Sequence, residues 1–448
     1  MAKWDSYLKN AGKRLGKEEP GDQPGRSSYQ RDYDRIIFSD AFRRLQNKTQ
    51  VLPIPESDVV RNRLTHSLET ASVARSLGYL AGQNILERHS SLRLYGFRAD
   101  DFGYIVSAAA LAHDIGNPPF GHQGEEAISR FFLSDKAVPF LENLTGKQKA
   151  ELQQFEGNAA GFRILARTTD NRSASKGGLR LSLATYAAFI KYPREVFVKK
   201  EKHSHIAMKK FGIFQSEKPV FETLAAETGL IPIETSGGLA FNRHPLAYLT
   251  EAADDICYNI IDYEDGFTLG IIPFERIEYL FKSLIQWTGE QRKTYQSIYE
   301  PKQKIGFLRA LVINRLVQES VRVFLDHEDE ILSGKFPVSL QDKWPEDIRQ
   351  VLKEIRKESI DKIYHHPTVL KIEATGKTVI PFLLEKFLHA AFDPESHKQY
   401  YLLMPEAYRQ ADDAYERVMQ TVMFISGMTD REAVYLYRNF NGIELAGY

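Results

Sequence analysis

The chain has 448 residues with 59 basic and 59 acidic side chains, so no global charge recruits nucleic acid or a membrane, and a polyanion would need a local basic patch. One cysteine, Cys257, excludes an intramolecular disulfide framework and fits a reducing compartment. The opening MAKWDSYLKNAGKR lacks a signal-peptide apolar region and no apolar run approaches spanning length, so a cytoplasmic protein without a membrane anchor is expected.

Along the chain, a Pro-, Gly- and charge-rich stretch over residues 17–28 reads as a flexible lead-in. Helical periodicity then dominates, and strand-like alternation is scarce. Helices are predicted over residues 34–44, 63–83, 104–112, 125–133, 157–167 and 244–262, then 274–284, 305–326, 344–360, 378–391, 407–426 and 430–440. Residues 192–236 are less regular. Within them KKEKHSH (199–205) reads as a solvated loop rather than a metal site, and 211–214 and 231–234 as short strands or extended loops. The pattern predicts an all-α fold. Residues 1–50 form a lead-in and a first helix contributing to the site, 51–272 the core, and 273–448 a C-terminal helical region, the break set by the proline punctuation near 272–274 at Pro273.

The run LAHDIGNPPFGHQGEE (111–126) carries the most chemistry. An apolar helix delivers His113 and Asp114, and the Gly-Asn-Pro-Pro turn after them cannot continue it. A second polar cluster, His122, Glu125 and Glu126, follows at once. Partners for the His-Asp pair lie elsewhere: His66 on the helix RNRLTHSLETASVAR, and Asp254 in YLTEAADDICYNII. Carboxylates entering so apolar a helix need pairing or a cation. His66, His113, Asp114 and Asp254 therefore form a metal set on three helices, of the N and O donor type that holds a divalent ion with room for water. Asp254, Tyr258 and Asp262 recur at i, i+4 and i+8 and so lie on one slowly drifting stripe. Arg63, one turn before His66, is a phosphate-binding candidate, with Asn117 and Asn158 as further polar ones.

The runs QRDYDRIIFSDAFRRLQNKTQV, RNRLTHSLE, AHDIGNPPFGHQGEEA, FEGNAAGFRIL, KYP, KKFGIFQSE, EAADDICYNIIDYEDG and GMTDREA span nearly the whole chain. Together they resemble the bacterial deoxyguanosinetriphosphate triphosphohydrolases, a branch of the HD-domain metal-dependent phosphohydrolases. The resemblance implies an HD-domain helical core with a C-terminal helical extension, and a divalent metal, Mg or Mn. It also implies a catalytic dyad, His122 and Glu125, in which the carboxylate orients the imidazole. It places phosphate-binding lysines at Lys191 and Lys210 and a sugar-hydroxyl contact at Gln50. Tyr258 would pack against the sugar, where a tight fit at the 2′ position excludes ribonucleotides, and Asp262 would accept from the 3′-hydroxyl. The implied reaction is dGTP and water to deoxyguanosine and triphosphate. A broader or different dNTP preference is the first alternative, and a nucleotide-sensing or nucleic-acid-binding HD protein a more distant one. Homo-oligomers, dimeric or hexameric, are expected by resemblance, as are dNTP or single-stranded DNA effectors. For the arginines of the C-terminal part, Arg315 and Arg431, structural roles are expected.

Overall fold

The computed structural model describes residues 4–15, 25–50, 61–167, 178–197 and 205–443. The all-α expectation holds: among the described residues helices supply the regular structure, and the segments around 211–214 and 231–234 are extended loops joined by isolated bridges, Glu195 with Ile213 and Pro232 with Phe241. His203 lies outside the described residues.

The helices that organise the site are α1 (Arg63–Arg88), α2 (Ala99–Ala112), α3 (His122–Phe132), α4 (Gly157–Ala166), α5 (Pro245–Thr268), α6 (Pro301–Asp326), α7 (Pro367–Phe392), α8 (Ala414–Ser426) and α9 (Asp430–Phe440). Two expected helices are each interrupted, and for the same reason. Residues 34–44 divide into Ser28–Ile37 and Asp40–Arg44 because the Ser39 side chain leaves the helix to accept from Phe42 N at 3.2 Å. Residues 407–426 divide into Glu406–Arg409 and α8, started by Asp413, whose carboxylate accepts from Glu416 N at 2.7 Å. Conversely, α7 begins well before the expected residue 378 and runs through Pro381. Pro367 sits at its first turn, where a missing N–H costs nothing, and the His366 ring caps Thr368 N.

Apolar burial sorts into two main cores. The first joins α1, α2, α5 and α6, with Ala71, Ala74, Leu77, Ile105, Ala109, Ile256, Ile260, Leu308 and Phe324 fully buried. Small residues on α1 and α2 let these helices pack along most of their length. Trp4 and Tyr7 are buried in the same core, so the helix Trp4–Leu8 is structural: Trp4 Nε1 donates to Glu328 Oε1 at 2.6 Å. Residues on both sides of 272 share this core, Ile260 and Ile272 with Ile277 and Leu280. The second core joins α3 to α7 and α8 through Ile128, Phe131, Leu383, Phe387, Val418 and Val422. Residues after 273 contribute to both cores. Ile115 packs into the first core and Phe120 into the second, so the Gly-Asn-Pro-Pro turn bridges the seam.

Candidate metal centre and catalytic cleft

Three helices converge on the metal set. Asn62 caps α1, its side chain accepting from Thr65 N at 2.9 Å, which fixes the first turn and turns Arg63 and His66 inward, both buried. His113 is the C-cap of α2, and its Nδ1 faces the Ala110 carbonyl at 2.7 Å. A carbonyl only accepts, so Nδ1 carries the proton and Nε2 presents a lone pair. That lone pair faces carboxylate oxygens: Asp254 Oδ1 at 3.4 Å and Asp114 Oδ1 at 3.5 Å. His66 Nε2 also lies 3.4 Å from Asp254 Oδ1. Ligand atoms of His66, His113 and Asp114 fall within 4.8 Å of one another.

Acceptors pointed at acceptors repel unless a proton or a cation lies between them. The donor set, two imidazole nitrogens and two carboxylates, fits a divalent cation. The electrostatics agree. Burial opposes ionisation of Asp114, but Arg63, His113 and His66 hold it well below the usual carboxylate range. Asp254 is likewise held low against burial, by Lys191 and both imidazoles. Burial disfavours protonated His66, yet its bond to Asp254 and the nearby Asp114 and Asp262 raise it. Arg63 donates to Asp114 Oδ2 at 2.8 Å, and Lys191 Nζ lies 2.5 Å from Asp254 Oδ2. All four expected ligands meet here.

The dyad stands beside them. Phe120 and Gly121 both have positive φ, 64° and 59°, a sharp reversal from which α3 starts at His122. The His122 Nδ1 lies 2.7 Å from Glu125 Oε2, while Glu125 Oε1 accepts from Gly157 N, the first residue of α4, at 2.6 Å. Burial would raise the Glu125 pKa, but the bonds from His122 and Gly157 and the charge of Lys210 lower it. The carboxylate is 9% exposed and the imidazole 81%, so a fixed anion holds a presented ring.

Both groups open onto one cleft of ≈ 580 Å³, whose walls include Gln50, Arg63, Asn117, Asn158, Lys191, Lys210 and Tyr258. Lys210 pairs with Glu156 at 2.8 Å, and Asn117 Nδ2 donates to Asp114 Oδ1. Asp262 stands apart from these: it is buried and does not line the cleft. Eight helical residues drift about 80° from Asp254, which carries Asp262 below the wall. There it accepts from the Tyr364 hydroxyl at 3.3 Å, and burial pushes its pKa up to about 7.

Sequence reasoning missed Tyr364, which stacks on Tyr258 with ring centroids 5.9 Å apart, and Val369, Ile372 and Glu373, the wall contributed by α7. Their spacing is that of any amphipathic helix, so no local signal marked them. It also missed Tyr192 and Lys209, each a direct neighbour of an expected lysine and each lining the cleft. Lys48, a buried amino group under the Gly-Asn-Pro-Pro turn, went unmarked as well, although it stands in the same KTQV run as Gln50.

The HD domain family matches residues 63–154, and the phosphohydrolase-associated domain family matches residues 343–439. A deoxyguanosinetriphosphate triphosphohydrolase-like protein of Synechocystis sp. is 42% identical over 99% of this chain and 100% of its own length. The chain belongs to this family of HD phosphohydrolases. A like-named relative from Pseudomonas aeruginosa is 34% identical over 98% of each chain, and a deoxyguanosinetriphosphate triphosphohydrolase of Klebsiella pneumoniae is 32% identical over 80% of this chain and 76% of its own. As an HD phosphohydrolase the protein is a hydrolase of a metal-dependent family, and its His66, His113 and Asp114 fall inside the HD match, while Asp254 comes from outside it. Among the described residues, no helix is long and apolar enough to cross a membrane.

Proposed function

We propose that the protein hydrolyses dGTP at the α-phosphate, giving deoxyguanosine and inorganic triphosphate. The observation that carries this reading is one cleft that joins the His66–His113–Asp114 cluster to the His122–Glu125 pair, with Arg63, Lys191 and Lys210 along its wall. A divalent ion, Mg or Mn, held by His66, His113, Asp114 and Asp254 would supply Lewis-acid polarisation of a phosphoryl oxygen. The remaining work falls to side chains. Arg63 and Lys191 are paired to the ligand carboxylates Asp114 and Asp254 and would supply fixed positive charge at the metal set, while Lys210, paired to Glu156, and Asn158 would meet the outer phosphates. Water oxygen bonds to the α-phosphorus, the bond to the sugar 5′-oxygen breaks, and the proton that the water gives up is matched by the one that the departing oxygen gains. His122 handles that proton at Nε2, because its Nδ1 is engaged by Glu125. Gln50 and the Tyr258–Tyr364 stack would hold the sugar, and Asp262 would act on it through the Tyr364 hydroxyl.

The preference for dGTP rests on the names of the relatives, and dimeric or hexameric assembly and control by dNTPs or single-stranded DNA rest on the family resemblance. The buried single cysteine supports a cytoplasmic setting. The deciding experiment incubates the protein with each dNTP and NTP, with Mg, Mn or chelator, and resolves triphosphate from pyrophosphate and monophosphate. Triphosphate release from dGTP, lost on chelation, is the expected result. Pyrophosphate or monophosphate as the product would overturn the reading, and equal rates on all dNTPs would replace dGTP by a broader substrate class.

A further inference from the structure

The carboxylate of Asp430, at the start of α9, spends neither oxygen on its own helix. Thr429 caps that helix, accepting from Glu432 N at 3.1 Å. Asp430 Oδ1 instead accepts from Phe120 N at 2.9 Å, and Oδ2 from Thr49 N at 2.9 Å. Phe120 has φ 64°, a left-handed conformation that a residue with a Cβ adopts only when its surroundings enforce it. It lies two residues before His122, and Thr49 lies one before Gln50.

A second tie runs the other way. Lys48 Nζ, buried, donates to the Asn117 carbonyl at 2.6 Å and the Ser426 carbonyl at 2.9 Å. The segment from Ser426 to Asp430 therefore grips both ends of the turn between the metal ligands and the dyad. Arg44 closes it from outside, bonding the Gly427 carbonyl at 3.2 Å and Glu432 at 2.9 Å.

We propose that Asp430 is a positioning residue for the phosphohydrolase reaction: from the phosphohydrolase-associated region it holds the Phe120 reversal that aims His122, and the backbone that presents Gln50. The inference rests on the proposed function for its kinetic readout only. It gives the associated region a task in the chemistry, since the turn before His122 is held by a charge-assisted bond from outside the HD match, and the same carboxylate holds the backbone beside Gln50.

The test compares Asp430→Ala and Asp430→Asn with Glu432→Gln, which disturbs the same helix start but not the turn. Expected for Asp430→Ala is a kcat about 30-fold lower with KM within about threefold and bound metal unchanged, because small misplacement of a reacting group is costly in rate. Asp430→Asn, with one acceptor left, should fall between it and the parent, and Glu432→Gln should keep the parent kcat. Hydrogen exchange should show faster exchange at Thr49 and Phe120 in Asp430→Ala, with α1 and α5 unaltered. A kcat within about twofold of the parent overturns the proposal, as does an equal kcat loss in Glu432→Gln. Should the parent hydrolyse no dNTP, the functional reading fails, and exchange still decides the tether: unchanged protection of Phe120 overturns it.

Discussion

His122 Nδ1 and Glu125 Oε2 meet at 2.7 Å across the first turn of one helix, and the other Glu125 oxygen is held by the N–H of Gly157 that opens α4. The two side chains therefore act as a unit whose anion is fixed before substrate arrives. His122→Ala and Glu125→Gln should each lower kcat by about 10²–10⁴-fold, the range of general acid–base contributions. The double variant should be scarcely worse than the less active single one, as expected of groups that act together. Bound metal should be unchanged in all three. Multiplying losses in the double variant would show that the two side chains work independently.

The metal set gives a prediction that needs no substrate. A ligand that binds only the folded state stabilises it by about 2.7 kcal/mol at a concentration about 100 times its Kd. Titrating Mn or Mg into metal-stripped protein should therefore raise Tm by several degrees, and His113→Ala should abolish the rise while leaving helical content intact. A full metal-induced shift in His113→Ala would remove that imidazole from the ligand set.

Much of this site was legible because its chemistry sits in short runs. His113, Asp114, His122 and Glu125 fall within one turn and its flanks, and Asp254 stood out as a charge in an apolar helix. The helix interruptions at Ser39 and Asp413 were less legible, since a capping side chain interrupts a helix without altering the apolar period that signals it. Asp262, expected to accept from the sugar 3′-hydroxyl, lies buried behind the cleft lining, because an i+8 stripe drifts by about 80° from Asp254. Tyr364 and the α7 wall reach the cleft only through tertiary packing, which no spacing of their own records.

Gly157 packs directly against the dyad. A Cβ there would lie 2.6 Å from Asn117 Oδ1 and 2.7 Å from Glu125 Oε1, the latter already accepting from Gly157 N. Gly157→Ala must push back the dyad carboxylate or the Asn117 side chain, so kcat should fall by about tenfold or more. The cost in stability should be about 1–3 kcal/mol, typical of overpacking. Gly146→Ala, where an added Cβ meets nothing within 4 Å, is the control and should retain activity. Equal activity in both variants would mean that the dyad tolerates displacement.

Glu151 supplies a pH dependence away from the metal. It is fully buried, and burial lifts its pKa from 4.5 to about 8, the Glu217 charge adding to the rise while bonds from Tyr415 and Gln215 N and the charge of Arg163 oppose it. The folded state thus keeps a proton that the unfolded chain gives up near pH 4.5. Its contribution is fully present below that pH and is lost as pH rises through about 8, so stability falls across the window. At about 1.4 kcal/mol per pH unit, the loss is on the order of 5 kcal/mol at most. Glu151→Gln keeps an acceptor for Gln215 N and cannot ionise. Its Tm relative to the parent should climb steadily between about pH 5 and 9, whereas a constant difference across that range would place the titrating proton on another group.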